Sequence, residues 1–160
     1  MADAIDSLAA ALGRMPSGIF ILTTGVAGRT SGMLASWVQQ AGFEPPMLTV
    51  AVRRDRYIAE WIAESGRFTL NQVGAGQKPL LKHFGRGFGP DESAFEGIDL
   101  LEDRPDGPIL ADAITYLVAE VAGSMESGDH RIFLARIIEG ARLDHEAEAM
   151  VHIRKSGLHY

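Results

Sequence analysis

Cysteine is absent from this 160-residue chain. Disulfide scaffolds, thiolate zinc sites, Cys-ligated iron–sulfur clusters and thiol catalysis are therefore excluded together. Long apolar runs are missing too: nothing approaches the roughly 20 residues that span a bilayer. The start, MADAIDSLAAALGRM, lacks the basic opening of a signal peptide and carries two early aspartates. The expectation is a cytoplasmic protein with no membrane partner. Basic charge is in deficit, with 15 Lys and Arg against 21 Asp and Glu, a formal net charge of −6. An electrostatic nucleic-acid binder needs a basic surface, so nucleic acid is not an expected partner. What remains is ordinary: 46% hydrophobic and 22% charged residues, enough for one domain spanning 1–160 with its own core.

Hydrophobic period divides the chain into elements. Ile5, Leu8, Ala9 and Leu12 share one face of a helix over 3–12, with Asp3 as its cap and Gly13 at its end. The period then changes. Residues 18–24 form a β-branched and aromatic run, followed by a Gly25-Val26-Ala27-Gly28 loop, a strand from Thr30 to about Val38, and a third strand over 47–52. Asp55 caps a helix to Ser65 that Gly66 ends. A strand over 67–73 and a helical turn or two over 79–84 come next. Residues 85–108 read as loop. Two long strands, 114–125 and 130–143, flank Glu126-Ser127-Gly128-Asp129, and a last strand covers 150–154. Helices and strands do not alternate, so a doubly wound parallel sheet is disfavoured. Six or seven strands separated by turns predict an antiparallel barrel. Ile132 to Ile138 is apolar at both alternating sets, so one face fills the barrel and the other meets a helix or another subunit.

Most chemical motifs fail. Gly85-Arg86-Gly87-Phe88-Gly89 places its third glycine one position too early for a dinucleotide fingerprint, and no Walker pattern exists. His83, His130, His145, His152 and His159 contain no H-x-x-x-H pair, and no G-x-S-x-G elbow occurs. Two features stand out. Gly128-Asp129 reads as a hairpin turn, and His130 after it is either the first residue of a strand or an imidazole at the barrel rim. In Ala35-Ser36-Trp37-Val38, Ser36 is a structural hydroxyl or a ligand contact, and Trp37 is core, interface or ligand contact. Arg53, Arg54 and Arg56 are either a solvated cluster or an anion clamp.

Taken in order, several segments resemble the flavin reductase-like family of FMN-binding split barrels. Residues 18–24 are similar to G-V-x-V-V-T-T, 32–40 to G-M-x-A-S-W-V-x-Q, and 43–47 to F-x-P-P-hydrophobic. Residues 65–71 are similar to S-G-x-F-x-V-N, and Gln77, Leu81 and Phe84 to Q-x-x-L…F. Gly128-Asp129-His130 matches G-D-H, and Gly157 to Tyr160 resembles the closing G-x-x-Y. The A-S-W-V form looks closest to the flavin reductase domain of cyanobacterial diflavin flavoproteins.

The resemblance implies an all-β-dominated fold: a six-stranded antiparallel split barrel of Greek-key type with a few short helices. It implies a homodimer, FMN as cofactor (FAD being the other flavin it permits), NAD(P)H as co-substrate and an acceptor that includes another protein. Ala35, Ser36, Trp37 and Val38 would lie along the flavin. Gln40 and Arg53, Arg54 or Arg56 would lie near the phosphate, Asn71 would contact the flavin or fix the strand beside it, and His130 would stand beside the nicotinamide or flavin ring. The expected activity is hydride transfer from the nicotinamide to flavin N5. An electron-transfer protein without NAD(P)H activity, and a split-barrel module for haem or another ligand, are the alternatives.

Overall fold

The computed structural model describes residues 1–159; Tyr160, the last residue of the expected G-x-x-Y, lies outside the described residues. The chain opens with α1 (Ala2–Gly13), then β1 (Ser17–Gly18), β2 (Phe20–Val26), β3 (Arg29–Ala35), β4 (Val38–Phe43) and β5 (Pro46–Arg53). Next come α2 (Tyr57–Ser65), β6 (Arg67–Gln72), α3 (Lys78–Gly85), β7 (Leu100–Glu102) and β8 (Ile109–Leu110). β9 (Thr115–Ser127), β10 (His130–Arg142) and β11 (Val151–His152) finish it. No helix among the described residues is long and apolar enough to cross a membrane.

The main sheet has seven antiparallel strands in the order β3-β2-β6-β9-β10-β5-β4. The sequence predicts six or seven strands, with the run from Thr30 to Val38 read as one. It is two: β3 stops at Ala35, and Val38 begins β4, which pairs with β5. β3 and β4 are thus consecutive in sequence yet stand at opposite edges of the sheet. Ser36 and Trp37 carry the chain across the gap between them, so the split in the barrel falls where the unusual residues sit.

Alternation explains the core. In β5, Leu48, Val50 and Val52 point inward and are nearly fully buried, while Met47, Thr49, Ala51 and Arg53 face outward. Leu22, Leu70, Phe68 and Phe133 join them, and α2 closes the barrel with Ile58, Ala59 and Ile62. Strand β2 is buried on both faces. Its Ile21 looks the other way, into a second cluster with Leu80 and Phe84 of α3.

The turns follow local chemistry. The β2–β3 hairpin turns on Ala27 and Gly28, both at positive φ (52° and 78°), as a type I′ turn requires. The β9–β10 hairpin turns on Gly128-Asp129 with Gly128 at φ 58°. Both long strands run right up to this turn, so Ser127 and His130 are paired. Helix α2 ends as expected on Gly66, in the left-handed region at φ 69°.

Other expectations are corrected. Neither Asp3 nor Asp55 caps a helix: α1 starts after Met1 and α2 after Arg56, neither with a side-chain cap. Asp55 is held instead by Arg53, at 2.9 and 3.1 Å. Ile5 and Leu8 of α1 are 54% and 53% exposed, so the described residues leave its apolar stripe largely uncovered. The 85–108 loop contains β7, paired with β8. The last strand is only Val151–His152, and it pairs with β1. This return brings the C-terminal segment over α1, where Gly157 N–H donates to Ala9 C=O at 2.7 Å and Arg154 N–H to Gly13 C=O at 3.0 Å.

Candidate functional site

A cavity of about 370 Å³ opens at the split. Its wall is built by the end of β3 (Met33, Leu34, Ala35), the Ser36–Trp37 link, the outer face of β5 (Ala51, Arg53) and Arg56. Helix α3 and the turn after it add Leu81, Phe84, Gly85, Arg86 and Gly87, and the C-terminal segment adds His152 and Arg154. Four arginines therefore meet an apolar floor, and no described lining residue is a carboxylate. In a chain of net charge −6 that concentration of cations is local and selective for an anion.

The arginines are held differently. Arg53 forms a two-pronged pair with Asp55, and the pair is well exposed to solvent. Arg86 lies over the Phe88 ring at 4.5 Å, with Glu92 at 4.0 Å. Arg154 stacks over Trp37 at 5.2 Å. Arg56 makes no ion pair among the described residues. The Arg86 rim is fixed from below: Tyr57 Oη donates to Phe88 C=O at 2.9 Å and shares a 2.8 Å hydrogen bond with the buried Ser31 hydroxyl.

His130 opens β10 directly opposite Arg53 of β5. It is only 7% exposed. Its Nδ1 lies 2.7 Å from Asp129 Oδ1, while its Nε2 is buried with no hydrogen-bond partner. The Trp37 ring covers it, with centroids 4.6 Å apart and planes tilted by 40°. The hydrogen bond with His130 holds the Asp129 carboxyl below the usual carboxylate range, outweighing an opposing desolvation.

The residues singled out in the sequence are thus only partly brought together. Ala35, Ser36, Trp37, Arg53 and Arg56 line the cavity. His130 stands behind Trp37 and is not in the lining. Val38 faces a neighbouring groove of about 620 Å³. Gln40 is exposed on β4, within 3.4 Å of Gly42 C=O. Arg54 alternates to the other face of the chain and pairs with Glu126 at 3.1 Å, away from the cavity. Asn71 is fully buried and its amide is engaged throughout: Nδ2 donates to Ile21 and Pro108 carbonyls at 3.2 and 3.3 Å, and Oδ1 accepts Leu110 N–H at 2.8 Å. It fixes a strand and does not face the cavity.

Besides apolar residues and glycines, three basic or titratable lining residues were missed: Arg86, His152 and Arg154. Arg86 sits in a glycine-rich stretch that reads as plain loop. His152 and Arg154 belong to a short basic run, His152-Ile153-Arg154-Lys155, whose only sequence signal is that clustering. No group of three or more His, Cys, Asp or Glu suited to a metal ion exists among the described residues.

Known proteins resemble this chain in sequence and in fold. The flavin reductase like domain matches residues 12–157. Diflavin flavoprotein A 1 of Synechocystis sp. is 40% identical over 158 residues, covering 98% of this chain and 28% of the relative. A diflavin flavoprotein of Nostoc sp. is 39% identical over 151 residues, covering 94% and 26%. The chain therefore spans only 26–28% of the length of these two relatives. Among solved structures, the Streptomyces globisporus NADH:FAD oxidoreductase SgcE6 superposes with a TM-score of 0.82 at 26% identity, over 90% of this chain and 86% of that one. The flavin reductase HpaC complexed with NADP+ gives 0.80 at 24% identity, over 97% and 95%. The split barrel, the ordered motifs and these matches agree, and the chain belongs to the flavin reductase like family.

Proposed function

We propose that this chain binds FMN in the arginine-lined cavity and is an NAD(P)H-dependent flavin oxidoreductase. The observation that carries the reading is the lining: four arginines, no described carboxylate and an apolar floor within an acidic protein. That set suits a planar ring with an anionic tail. Met33, Leu34 and Phe84 offer apolar surface to a ring, and Arg53 and Arg56 offer charge-assisted hydrogen bonds to a phosphate. Bound flavin supplies an acceptor for two electrons delivered as hydride, chemistry that no side chain here provides. The protein's part is to bind and orient. Ser36 and the backbone N–H groups of the 35–37 link would meet the ring's oxygens, where negative charge develops on reduction. Asp129 fixes His130 through Nδ1, leaving Nε2 to hold the donor's ring. SgcE6 also superposes in its complex with NAD and FAD fragments, with a TM-score of 0.78, which supports a paired flavin and nicotinamide site and keeps FAD beside FMN.

A second reading, an electron carrier with no NAD(P)H activity of its own, is favoured by the indole that covers His130. It also fits the much greater length of the diflavin relatives, in which a protein partner would supply or accept electrons. Anaerobic mixing of the FMN-loaded protein with NADH and with NADPH separates the two. Saturable bleaching of the flavin bands is the expected result. Bound flavin that no nicotinamide bleaches would leave the carrier, and a purified protein with a Soret band and no flavin would overturn both.

A homodimer belongs to the same proposal. Leu134 and Ile138 on β10 are 38% and 41% exposed, within the largely apolar run 132–138. Sedimentation equilibrium of the flavin-loaded chain is expected to give twice the mass of one chain.

A further inference from the structure

One side chain ties together three walls of the arginine-lined cavity. Tyr57 is the first residue of α2, next to Arg56, which lines the cavity from the β5–α2 turn. Its hydroxyl shares a 2.8 Å hydrogen bond with Ser31 of β3, the strand whose end supplies Met33, Leu34 and Ala35. It also donates to Phe88 C=O at 2.9 Å, in the turn after α3. A phenol carries one proton, and a carbonyl can only accept it. The chain of bonds therefore runs one way: Ser31 O–H donates to Tyr57 Oη, and Tyr57 O–H donates to Phe88 C=O. Ser31 is 1% exposed, so solvent offers its hydroxyl little alternative.

The far end of this chain is a segment that needs a tether. Residues 85–89 are Gly85-Arg86-Gly87-Phe88-Gly89, with Gly87 in the left-handed region at φ 76°. Glycine loses more conformational freedom on folding than any other residue, so this stretch is costly to hold still. Two side chains tie it down: Tyr57 at Phe88 C=O, and Glu92 at Gly89 N–H, 2.7 Å away. Arg86 lies over the Phe88 ring at 4.5 Å, and that ring packs edge-on against Phe84 at 5.9 Å. Arg86 is exposed and its guanidinium makes no hydrogen bond among the described residues; Glu92 at 4.0 Å is beyond hydrogen-bond reach. Its donors stand at the cavity rim on a fixed seat.

We propose that Tyr57 is a positioning residue that presets Arg86 as a contact for the phosphate of a bound flavin. Tyr57 itself touches no ligand. It fixes the Phe88 backbone, and the Phe88 ring seats the guanidinium. The rim is thus ordered before the anion arrives, and binding is spared the entropy of ordering it. The consequence is selectivity for FMN over riboflavin, which has the same ring system and no phosphate. The identity of the anion rests on the FMN-binding proposal; the tether does not.

Two measurements on the full chain test this, one with flavin and one without. Dissociation constants for FMN and for riboflavin come from quenching of flavin fluorescence. Arg86→Ala is expected to weaken FMN about tenfold and riboflavin by less than about twofold. Tyr57→Phe is expected to weaken FMN about fivefold, again sparing riboflavin, and to cost less than about twofold once Arg86 is alanine. Without flavin, limited digestion by trypsin reports on the rim, because cleavage after Arg86 requires residues 85–89 to open. Measured against cleavage after Arg14, which is exposed just past α1, that cut is expected to be about tenfold faster in Tyr57→Phe. Tyr57→Phe also strands the buried Ser31 hydroxyl, so Ser31→Ala/Tyr57→Phe separates the tether from a mere loss of stability. It removes both halves of that hydrogen bond and is expected to regain the urea midpoint but not the FMN affinity. A double variant that regains both, an equal loss of FMN and riboflavin, or a Tyr57→Phe loss undiminished by Arg86→Ala overturns the proposal, as does unchanged cleavage after Arg86. Faster cleavage in a protein that binds neither flavin keeps the tether and fells the FMN reading.

Discussion

Asn71 and His130 are both buried polar side chains on strands of one sheet, and they are treated in opposite ways. Asn71 is sealed between β2 and the 107–110 segment, with its amide nitrogen and oxygen both bonded to backbone. His130 has one nitrogen paired and the other bare. A buried polar atom without a partner costs about 1–3 kcal/mol. Proteins rarely keep that cost inside a core, and here it falls at the barrel's open seam, under a side chain carried by a two-residue link. A saturated polar network marks a residue that specifies the fold. A half-satisfied one beside a cavity is what the proposed ligand-binding role of His130 asks for.

The contrast is broken most forcefully by truncating both. Asn71→Ala strands the Leu110 N–H in the core and removes the tie between β6, β2 and β8. We expect about 3 kcal/mol of lost stability by urea unfolding. His130→Ala removes a ring with a single hydrogen bond and relieves an unpartnered nitrogen, so its stability cost is expected to be under about 1.5 kcal/mol. A loss at His130 as large as that at Asn71 would make both structural and end the distinction.

The same logic ranks the arginines. Arg53 already pairs with Asp55, whereas Arg56 makes no ion pair among the described residues. Arg56→Ala is expected to weaken FMN about tenfold or more by fluorescence titration, the worth of one charge-assisted contact, and Arg53→Ala to weaken it less. Equal losses would mean that the Asp55 pair opens freely when the phosphate binds. A third expectation concerns rate: His130→Ala is expected to slow anaerobic bleaching by NAD(P)H roughly tenfold while leaving the FMN dissociation constant within about twofold, because its ring lies outside the cavity lining.

These residues also mark where the sequence was readable. Strands buried on one or both faces, such as β2 and β5, show their period or their unbroken apolar run directly. Glycines at positive φ show the turns at Gly28 and Gly128 and the end of α2. The break at Ser36-Trp37 is invisible locally, because Met33 to Val38 is a run of strand-compatible residues. The interruption exists only because the sheet's order ends there, which is a tertiary fact. Asp55 satisfied every local criterion for a cap, and Arg53 two residues earlier engaged it instead. Arg53 and Arg56 were legible as candidates from their place after a strand. Arg86 and Arg154 reach the same cavity from α3 and from the β1–β11 pairing, contacts separated by most of the chain. Whether His130 was turn furniture or a rim imidazole turned on the indole that covers it, and no spacing rule reports that contact.

The smallest expected effect tests the link that makes His130 asymmetric. The hydrogen bond to His130 holds the Asp129 carboxyl below its usual range in the folded chain. A carboxyl whose folded value is depressed adds stability above its unfolded value, and that contribution is lost as pH falls through the folded value. Asp129 is exposed at the hairpin turn, so the effect is small and screened by solvent. Urea midpoints measured from about pH 6 down to about pH 3 should therefore fall slightly more steeply for the wild type than for Asp129→Asn, with the two curves converging at the acid end. Asparagine at 129 also loses the charge that holds the ring, so the pH profile of bleaching should shift in Asp129→Asn even where stability barely changes. A stability gap that persists undiminished at about pH 3 would show that Asp129 acts through the turn's backbone and not through its charge. The fixed Nδ1, and with it the reason Nε2 is left for a ligand, would then need another source.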